Sequence, residues 1–307
     1  MTKPIRHISI SAVVVSFNPD LEVLEQLLTS LTCQLDNIVV VDNGSTNDVV
    51  AWAYTKPFGN KIVVLPLGVN RGIAAAQNVG IAHARKMDTD YVILFDQDSS
   101  PAPDMIEKLV SVAEAQAAMG IRVAAVGPRY IDERQDNPPP FIRFKGLKLE
   151  RQVCIRENSV VEVDYLIASG CLISLSVLGS VGDMREELFI DYVDIEWGLR
   201  AKHAGYKSFG SCAALMSHAL GDEPIVFLGQ KIPVRSPLRH YYMFRNAVWL
   251  YRQSWLPLNW KLADGWRLLL KYGFYTLFTQ TRWKHFRMMT LGLWHGLRGR
   301  MGQLDDV

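Results

Sequence analysis

Cysteine is scarce in this chain: four residues, Cys33, Cys154, Cys171 and Cys212, are scattered through 307. No Cys-x-x-Cys pair occurs, so neither a zinc site nor a disulfide framework is indicated, and a reducing cytoplasm fits. Acidic residues are all but missing from one region. Residues 231–300 hold 13 Lys+Arg and a single acid, Asp264, against 20 Lys+Arg and 28 Asp+Glu in residues 1–230. The formal net charge of +2 conceals this split, which points to an anionic partner for the C-terminal part. Long hydrophobic runs are also lacking. Tyr165 to Gly182 carries no charge, but its four serines and three glycines argue for a strand–turn–helix core piece rather than a membrane span. The N-terminus runs straight into a strand pattern, so no leader peptide is expected. There is no internal repeat and no Gly-x-x-x-x-Gly-Lys phosphate loop. What remains, 49% hydrophobic and 21% charged, is the composition of a globular protein with ample core, as one large domain or two small ones.

The stretch Tyr91-Val92-Ile93-Leu94-Phe95-Asp96-Gln97-Asp98-Ser99-Ser100 organises the rest. Tyr91 to Phe95 has the length of a buried strand, and Asp96 and Asp98 stand where it runs out. In open α/β sheets ligands bind at the carboxyl ends of strands. Two carboxylates one residue apart suit a hard cation such as Mg²⁺ or Mn²⁺ with positions left open for phosphate oxygens. The plain alternative is turn chemistry and a helix cap.

In chain order, Ile8 to Phe17 reads as a strand, and Asn18-Pro19-Asp20 starts a helix with Leu21, Leu24, Leu28 and Leu31 on one face. Ile38 to Val41 and Lys61 to Leu65 are short strands. An alanine-rich helix spans Ile73 to Arg85. After the Asp90 stretch come a helix over Pro103 to Met119 and a strand over Arg122 to Val126. Residues 131–160, broken by Pro138-Pro139-Pro140, form a long, partly mobile excursion. Val161 to Ser174 is regular again, Leu188 to Trp197 leads into a helix through Arg200 with a stop at Gly205, and Lys207 to Met216 reads as a strand ending at Ser217-His218. Strands alternating with helices predict a mostly parallel, right-handed βαβ sheet flanked by helices.

Further candidates follow from position. Asp42 ends the second strand as Asp96 ends the fourth, where a carboxylate accepts hydrogen bonds from a base or ribose, or caps a turn. Asn70-Arg71-Gly72 sets a guanidinium and a flexible backbone before a helix, an arrangement that can bind a diphosphate. Asp191, Asp194 and Glu196 form an acidic cluster at a strand–helix junction. It either poises one carboxylate as a general base or merely favours a helix start. His218 ends an apolar strand and is either a ligand or a satisfied turn residue. Arg239, Tyr242 and Arg245 share a helix face, suited to phosphate or simply to a basic surface.

Taken in order, these elements resemble the family-two inverting glycosyltransferases with the glycosyltransferase A fold. The resemblance runs from Ala12-Val13-Val14-Val15-Ser16-Phe17-Asn18 through Val41-Asp42-Asn43-Gly44-Ser45-Thr46 and Asn70-Arg71-Gly72 with Asn78 and Gly80. It continues through Phe95-Asp96-Gln97-Asp98, Ala168-Ser169-Gly170 and Asp191 with Asp194 to His218. The finer pattern, Asp-Gln-Asp-Ser, Ile190-Asp191-Tyr192-Val193-Asp194 and Tyr241-Tyr242 with Arg245-Asn246, is most similar to bacterial rhamnosyltransferases of O-antigen and other polysaccharide synthesis. The resemblance implies an α/β Rossmann-like glycosyltransferase A domain over residues 1–230 and a basic, aromatic helical region over 231–307. Ser16, Asn18, Asp42, Asn70, Arg71, Gly72, Asn78, Asp96, Gly170, Arg239, Tyr242 and Arg245 would bind the nucleotide-sugar donor, expected to be dTDP-rhamnose. Asp96, Asp98 and His218 would hold Mg²⁺ or Mn²⁺, and Asp191 or Asp194 would be the base. Tyr192 stands where the commoner pattern has a second adjacent acid, which leaves the choice of base open.

The tail mixes Trp249, Tyr251, Trp255, Trp260, Trp266, Tyr272, Trp283 and Trp294 with Lys and Arg. Basic helices with aromatics read as membrane-surface segments. That fits a lipid-linked saccharide acceptor and a peripheral place on the cytoplasmic face of the inner membrane. The alternative is packing on the catalytic core or on a second subunit of a homo-oligomer. Two rival classes are less well served. A nucleotidyltransferase needs a glycine- and lysine-rich loop that Ser16-Phe17-Asn18-Pro19-Asp20 does not provide. A nucleic-acid binder has no use for ordered strand-end carboxylates, and no nucleic acid is expected.

Overall fold

The computed structural model describes residues 8–131, 141–146, 148–218, 225–227, 230–232 and 234–304. Strands and helices alternate at first: β1 (Ile10–Ser16), α1 (Leu21–Thr32), β2 (Asn37–Asp42), α2 (Val49–Tyr54), β3 (Ile62–Pro66), α3 (Ile73–Lys86) and β4 (Tyr91–Asp96). Then follow β5 (Ser99–Pro101), α4 (Met105–Ala118), β6 (Val123–Ile131), the hairpin β7 (Phe141–Lys145) and β8 (Lys148–Gln152), β9 (Val160–Val163), β10 (Cys171–Ser174) and α5 (Leu175–Val181). The chain continues with α6 (Val193–His203), β11 (Lys207–His218), β12 (Ile225–Phe227), β13 (Gln230–Ile232), α7 (Pro237–Tyr251), α8 (Leu258–Phe278) and α9 (Arg282–Arg298).

The main sheet runs β3-β2-β1-β4-β10-β6-β11-β5, with β9 also on β11. Its first four strands are parallel; β10 is inserted antiparallel between β4 and β6, and β6 pairs parallel with β11. Both faces are covered, which is why β1, β2 and β4 read as unbroken apolar runs. Ala12, Val14, Val40 and Phe95 pack toward α1 and α4, and Val13, Val15, Val39 and Leu94 pack toward α3 and α6. The helix signal at residues 18–20 resolves in detail. The Asp20 carboxylate caps α1 by accepting from the N–H of Glu22 at 3.0 Å and of Val23 at 3.3 Å, and Pro19 lies just outside the helix.

The uncharged stretch from Tyr165 to Gly182 is, as expected, a core piece of strand and helix: a loop, β10 and α5. Two expectations change. Part of the long excursion is regular: β7 and β8 pair as a hairpin, while 132–140, the triproline included, lie outside the described residues. Most plainly, the expectation of unpaired cysteines is corrected: Cys154 and Cys212 form a disulfide across 58 residues, leaving Cys33 and Cys171 free. Spacing along a sequence detects local cysteine motifs. This pair is made by the fold, which carries the segment after β8 back against β11, where the Cys212 N–H donates to the Ser159 carbonyl at 3.0 Å.

Candidate active site

The carboxyl ends of β1, β2 and β4 lie side by side, with Ser16 in register with Asp42 and Val15 with Asp96. The loops that leave them are fastened to one another. The Ser16 hydroxyl donates to Asp42 Oδ1 at 3.3 Å, the Ser45 N–H donates to Asp42 Oδ2 at 3.3 Å, and the Ser45 hydroxyl also donates to Oδ1. Asn18 adopts a left-handed φ of 46° and accepts from the Thr46 N–H at 2.8 Å and hydroxyl at 2.9 Å. Gln97, between the two aspartates, accepts from the Phe17 N–H at 2.7 Å. Asp42 is thus a nearly buried acceptor oriented by two serines.

The Asn70-Arg71-Gly72 turn is built on the same end. Asn43 donates to Asn70 Oδ1 at 3.1 Å and accepts from the Arg71 N–H at 2.9 Å, which leaves the Arg71 side chain exposed. Gly72 has φ 85°, and a Cβ there would stand 2.5 Å from the Phe189 carbonyl oxygen. Only glycine allows this contact, which brings the 186–192 loop against the start of α3. The Ile73 N–H donates to that same carbonyl at 2.8 Å.

The acidic cluster separates into three different environments. Glu196, fully buried, accepts from Arg200 Nε at 2.8 Å and Arg185 Nε at 3.0 Å, a structural ion pair. Asp191, 5% exposed, accepts from Arg239 Nε at 2.8 Å and Nη2 at 2.7 Å and also from Arg235. Burial and the Arg239 charge pull the Arg235 guanidinium down to about 10. Among the described residues no lysine or arginine pairs with Asp194. Burial pushes its carboxyl up to about 6 and the Asp96 carboxylate adds to the rise, against a lowering by the N–H groups of Ile195 and Ala168. Asp194 also lines a small cavity with Leu94, Ala168, Cys171 and Trp197. The same anionic neighbourhood, behind the effect of burial, helps raise the Tyr130 phenol, whose hydroxyl donates to the Ser169 carbonyl.

Asp96 and Asp98 flank the turn from β4 to β5, and the Asp96 N–H donates to Ser169 Oγ at 3.2 Å. β5 pairs antiparallel with β11, placing His218 opposite Ser99. The His218 side chain lies outside the described residues, and among those described no three His, Cys, Asp or Glu groups converge on one point. In chemical type, two carboxylates with a histidine position beside them are donors that could hold a hard divalent cation.

Other expected ligands are placed elsewhere. Asn78 is a clamp: its amide donates to the Met184 carbonyl at 2.9 Å and accepts from the Met184 N–H at 3.0 Å, fixing α3 to the segment before α6. Gly170, φ 69°, is packed against Pro128 and Met216, and its N–H donates to the Leu94 carbonyl at 2.6 Å. For Tyr242 and Arg245 the expected phosphate contact is corrected. Their helix α7 is covered on that face, so Tyr242 is 2% and Arg245 0% exposed. Tyr242 stacks on Phe189 at 5.0 Å, and Arg245 donates to the Leu188 carbonyl at 2.9 Å, to that of Glu187 at 3.2 Å and to that of Gly302. Of the three, Arg239 reaches the site. Arg235, which partners Asp191, escapes a reading of the sequence; it lies in an irregular segment before α7 where periodicity gives no signal.

A Rossmann-like sheet with carboxylates at its parallel strand ends and β10 antiparallel beside them is the glycosyltransferase A arrangement. Residues 11–168 match the family model described as "Glycosyl transferase family 2". The chain is 37% identical over 251 residues to the dTDP-rhamnosyl transferase RfbF of Shigella flexneri, covering 81% of this chain and 82% of that protein. It is 26% identical over 291 residues to the N-acetylglucosaminyl-diphospho-decaprenol L-rhamnosyltransferase of Mycobacterium tuberculosis, covering 82% and 89% of the two chains. The fold matches the crystal structure of S. aureus TarS 1-349 in complex with UDP-GlcNAc at a TM-score of 0.59 and 15% identity, over 95% of this chain and 82% of that one. The chain belongs to glycosyl transferase family 2 and is a glycosyltransferase.

Proposed function

We propose that this enzyme transfers L-rhamnose, with inversion, from dTDP-L-rhamnose to a hydroxyl of a lipid-linked saccharide in cell-surface polysaccharide synthesis of the O-antigen type. The reading of the sugar rests on the likeness to the Shigella flexneri rhamnosyl transferase. The reading of the chemistry rests on one observation: Asp194 is the member of the acidic cluster that no guanidinium among the described residues neutralises, and it is raised to about 6. Asp191, held between two arginines, is a poor base and a good organiser of positive charge.

In this mechanism Asp194 takes the acceptor hydroxyl proton as that oxygen forms a bond to the anomeric carbon. The bond from that carbon to the diphosphate breaks, and its electron pair leaves with the diphosphate. A base near 6 is ionised at neutral pH and still accepts a proton readily. Mg²⁺ or Mn²⁺ held by Asp96, Asp98 and His218 would supply charge neutralisation at the diphosphate. Asp42 orients the nucleoside, and Arg71 and Arg239 stand at the rim for phosphate oxygens. The acceptor is met at the cytoplasmic face of the inner membrane.

The test is a thermal-shift and turnover panel of nucleotide sugars with Mg²⁺, Mn²⁺ or EDTA. Ligand at a hundred times its dissociation constant adds about 2.7 kcal/mol of stability. A divalent-dependent shift and turnover with dTDP-rhamnose, both absent from Asp96→Ala/Asp98→Ala, is the expected result. A response to UDP-sugars alone discards the rhamnosyl reading, and full turnover in EDTA discards the metal.

A further inference from the structure

We propose that the outward face of α8 is a docking surface for an anionic lipid bilayer. The helix has 21 residues and two unlike sides. Trp260, Leu268 and Tyr275 are buried against the rest of the molecule. On the opposite side Leu258, Leu262, Trp266, Leu269, Leu270 and Leu277 follow helical spacing, and each is 55% to 69% exposed. A continuous apolar stripe of this kind is not the scattered exposure normal for a surface. Its neighbour α9 adds Trp283, 75% exposed, and Trp294, 50% exposed.

The charges decide what covers the stripe. Lys261 and Arg267 flank it along α8, Lys271 shares the side of the helix that carries Asp264, and Arg282, Lys284, Arg287 and Arg298 lie on α9. The sole acid of this region, Asp264, is turned inward, where it accepts from the Tyr192 hydroxyl at 2.9 Å and the Tyr251 hydroxyl at 2.6 Å. Among the described residues the outward sides of α8 and α9 therefore join leucine and tryptophan to lysine and arginine without an acid. Two copies meeting through α8 would set lysine and arginine against lysine and arginine with no outward acid among the described residues of α8 and α9, which disfavours a dimer there. An anionic headgroup layer supplies the missing charge, and the leucines and tryptophans enter the acyl boundary while the basic side chains snorkel. No helix among the described residues is long and apolar enough to cross a membrane, so α8 lies in the interface plane.

This surface deepens the membrane-side acceptor reading above and rests on it only for its purpose, since its test needs no sugar. The full chain is floated with phosphatidylcholine vesicles, with and without phosphatidylglycerol, at low and high salt. Flotation is expected with the anionic vesicles at low salt, with tryptophan emission quenched by brominated lipid. Trp266→Glu/Leu270→Glu, at two exposed positions, should lower partition by about tenfold or more while donor binding is kept. Arg267→Glu/Arg287→Glu should remove the preference for anionic vesicles. Absence of wild-type flotation and quenching overturns the proposal, as does a dimer by light scattering that the Trp266→Glu/Leu270→Glu variant dissociates. A protein that floats but turns over no dTDP-rhamnose leaves this surface standing and overturns the rhamnosyl reading instead.

Discussion

At the scale of single residues, three acids within six positions of one another serve three ends, and their partners decide which. Glu196 and Asp191 are satisfied by arginines, and Asp194 is left with backbone N–H groups and a nearby Asp96. Asp194→Asn should lower kcat by about a hundredfold or more, whereas Asp191→Asn should act more through KM. Steady-state kinetics on both variants checks the assignment, and near-normal kcat in Asp194→Asn refutes it. The same side chain makes a stability prediction. Its folded value of about 6 exceeds the ordinary 3.8, so the folded state holds a proton that the unfolded chain releases. Stability is therefore lost as pH rises through that window, and the deficit is complete above it. Asp194→Asn should melt higher than wild type well above pH 6 and about equally below pH 3.8, measured in EDTA. The gain is about 1–3 kcal/mol, because each tenfold change in proton affinity is worth about 1.4 kcal/mol.

At the scale of elements, the loop from Glu186 to Tyr192 is held in a conformation it would not take alone. Phe189, Asp191 and Tyr192 all have positive φ, near 63° to 65°. Such backbone costs roughly 1–3 kcal/mol per residue and persists where the surroundings impose it. The imposing element is α7. The Asn246 amide donates to the carbonyls of Leu188 at 2.9 Å and of Ile190 and Asp191 at 2.8 Å, and Arg245 donates to those of Glu187 and Leu188. Asn246 is thus a positioning residue for the start of α6, where Asp194 sits. Asn246→Ala should reduce kcat by about tenfold or more with a smaller change in KM, because a misplaced base loses rate before the donor loses its site. Arg245→Lys should destabilise the fold, since one ammonium cannot span the carbonyls that the guanidinium serves. Thermal denaturation beside kinetics separates the two effects.

At the scale of the whole molecule, the basic helices are both a brace and a surface. Through α7 they lock the loop from Glu186 to Tyr192, and through α8 they present the apolar stripe. The Cys154–Cys212 link ties the segment following the β7–β8 hairpin to β11 of the main sheet. Thiol titration of the unfolded, unreduced chain should count two reactive groups, Cys33 and Cys171, and four would contradict the pairing. The link closes a loop of 58 residues, so reduction should lower thermal stability, by a few kcal/mol (~4) in the chain-entropy account.

Much of this was determined by the sequence alone. Buried parallel strands are apolar without interruption, and the polar residue that ends such a run marks its carboxyl end. Asp42 and Asp96 were legible for that reason, as were α1, α3 and the alternation that implies a parallel sheet. Only the tertiary structure decided how the acids differ. The arginines that neutralise Asp191 lie 44 and 48 residues away, and the amide that shapes its backbone lies 55 away. It also decided that Arg245 and Tyr242 face inward although Arg239, on the same helix, faces the site. Helical spacing states which residues share a side, but what covers that side is set by chain that returns from elsewhere. The disulfide has the same origin. Contacts within a few residues leave a period or a motif behind, whereas those made by folding leave only the two residues that meet.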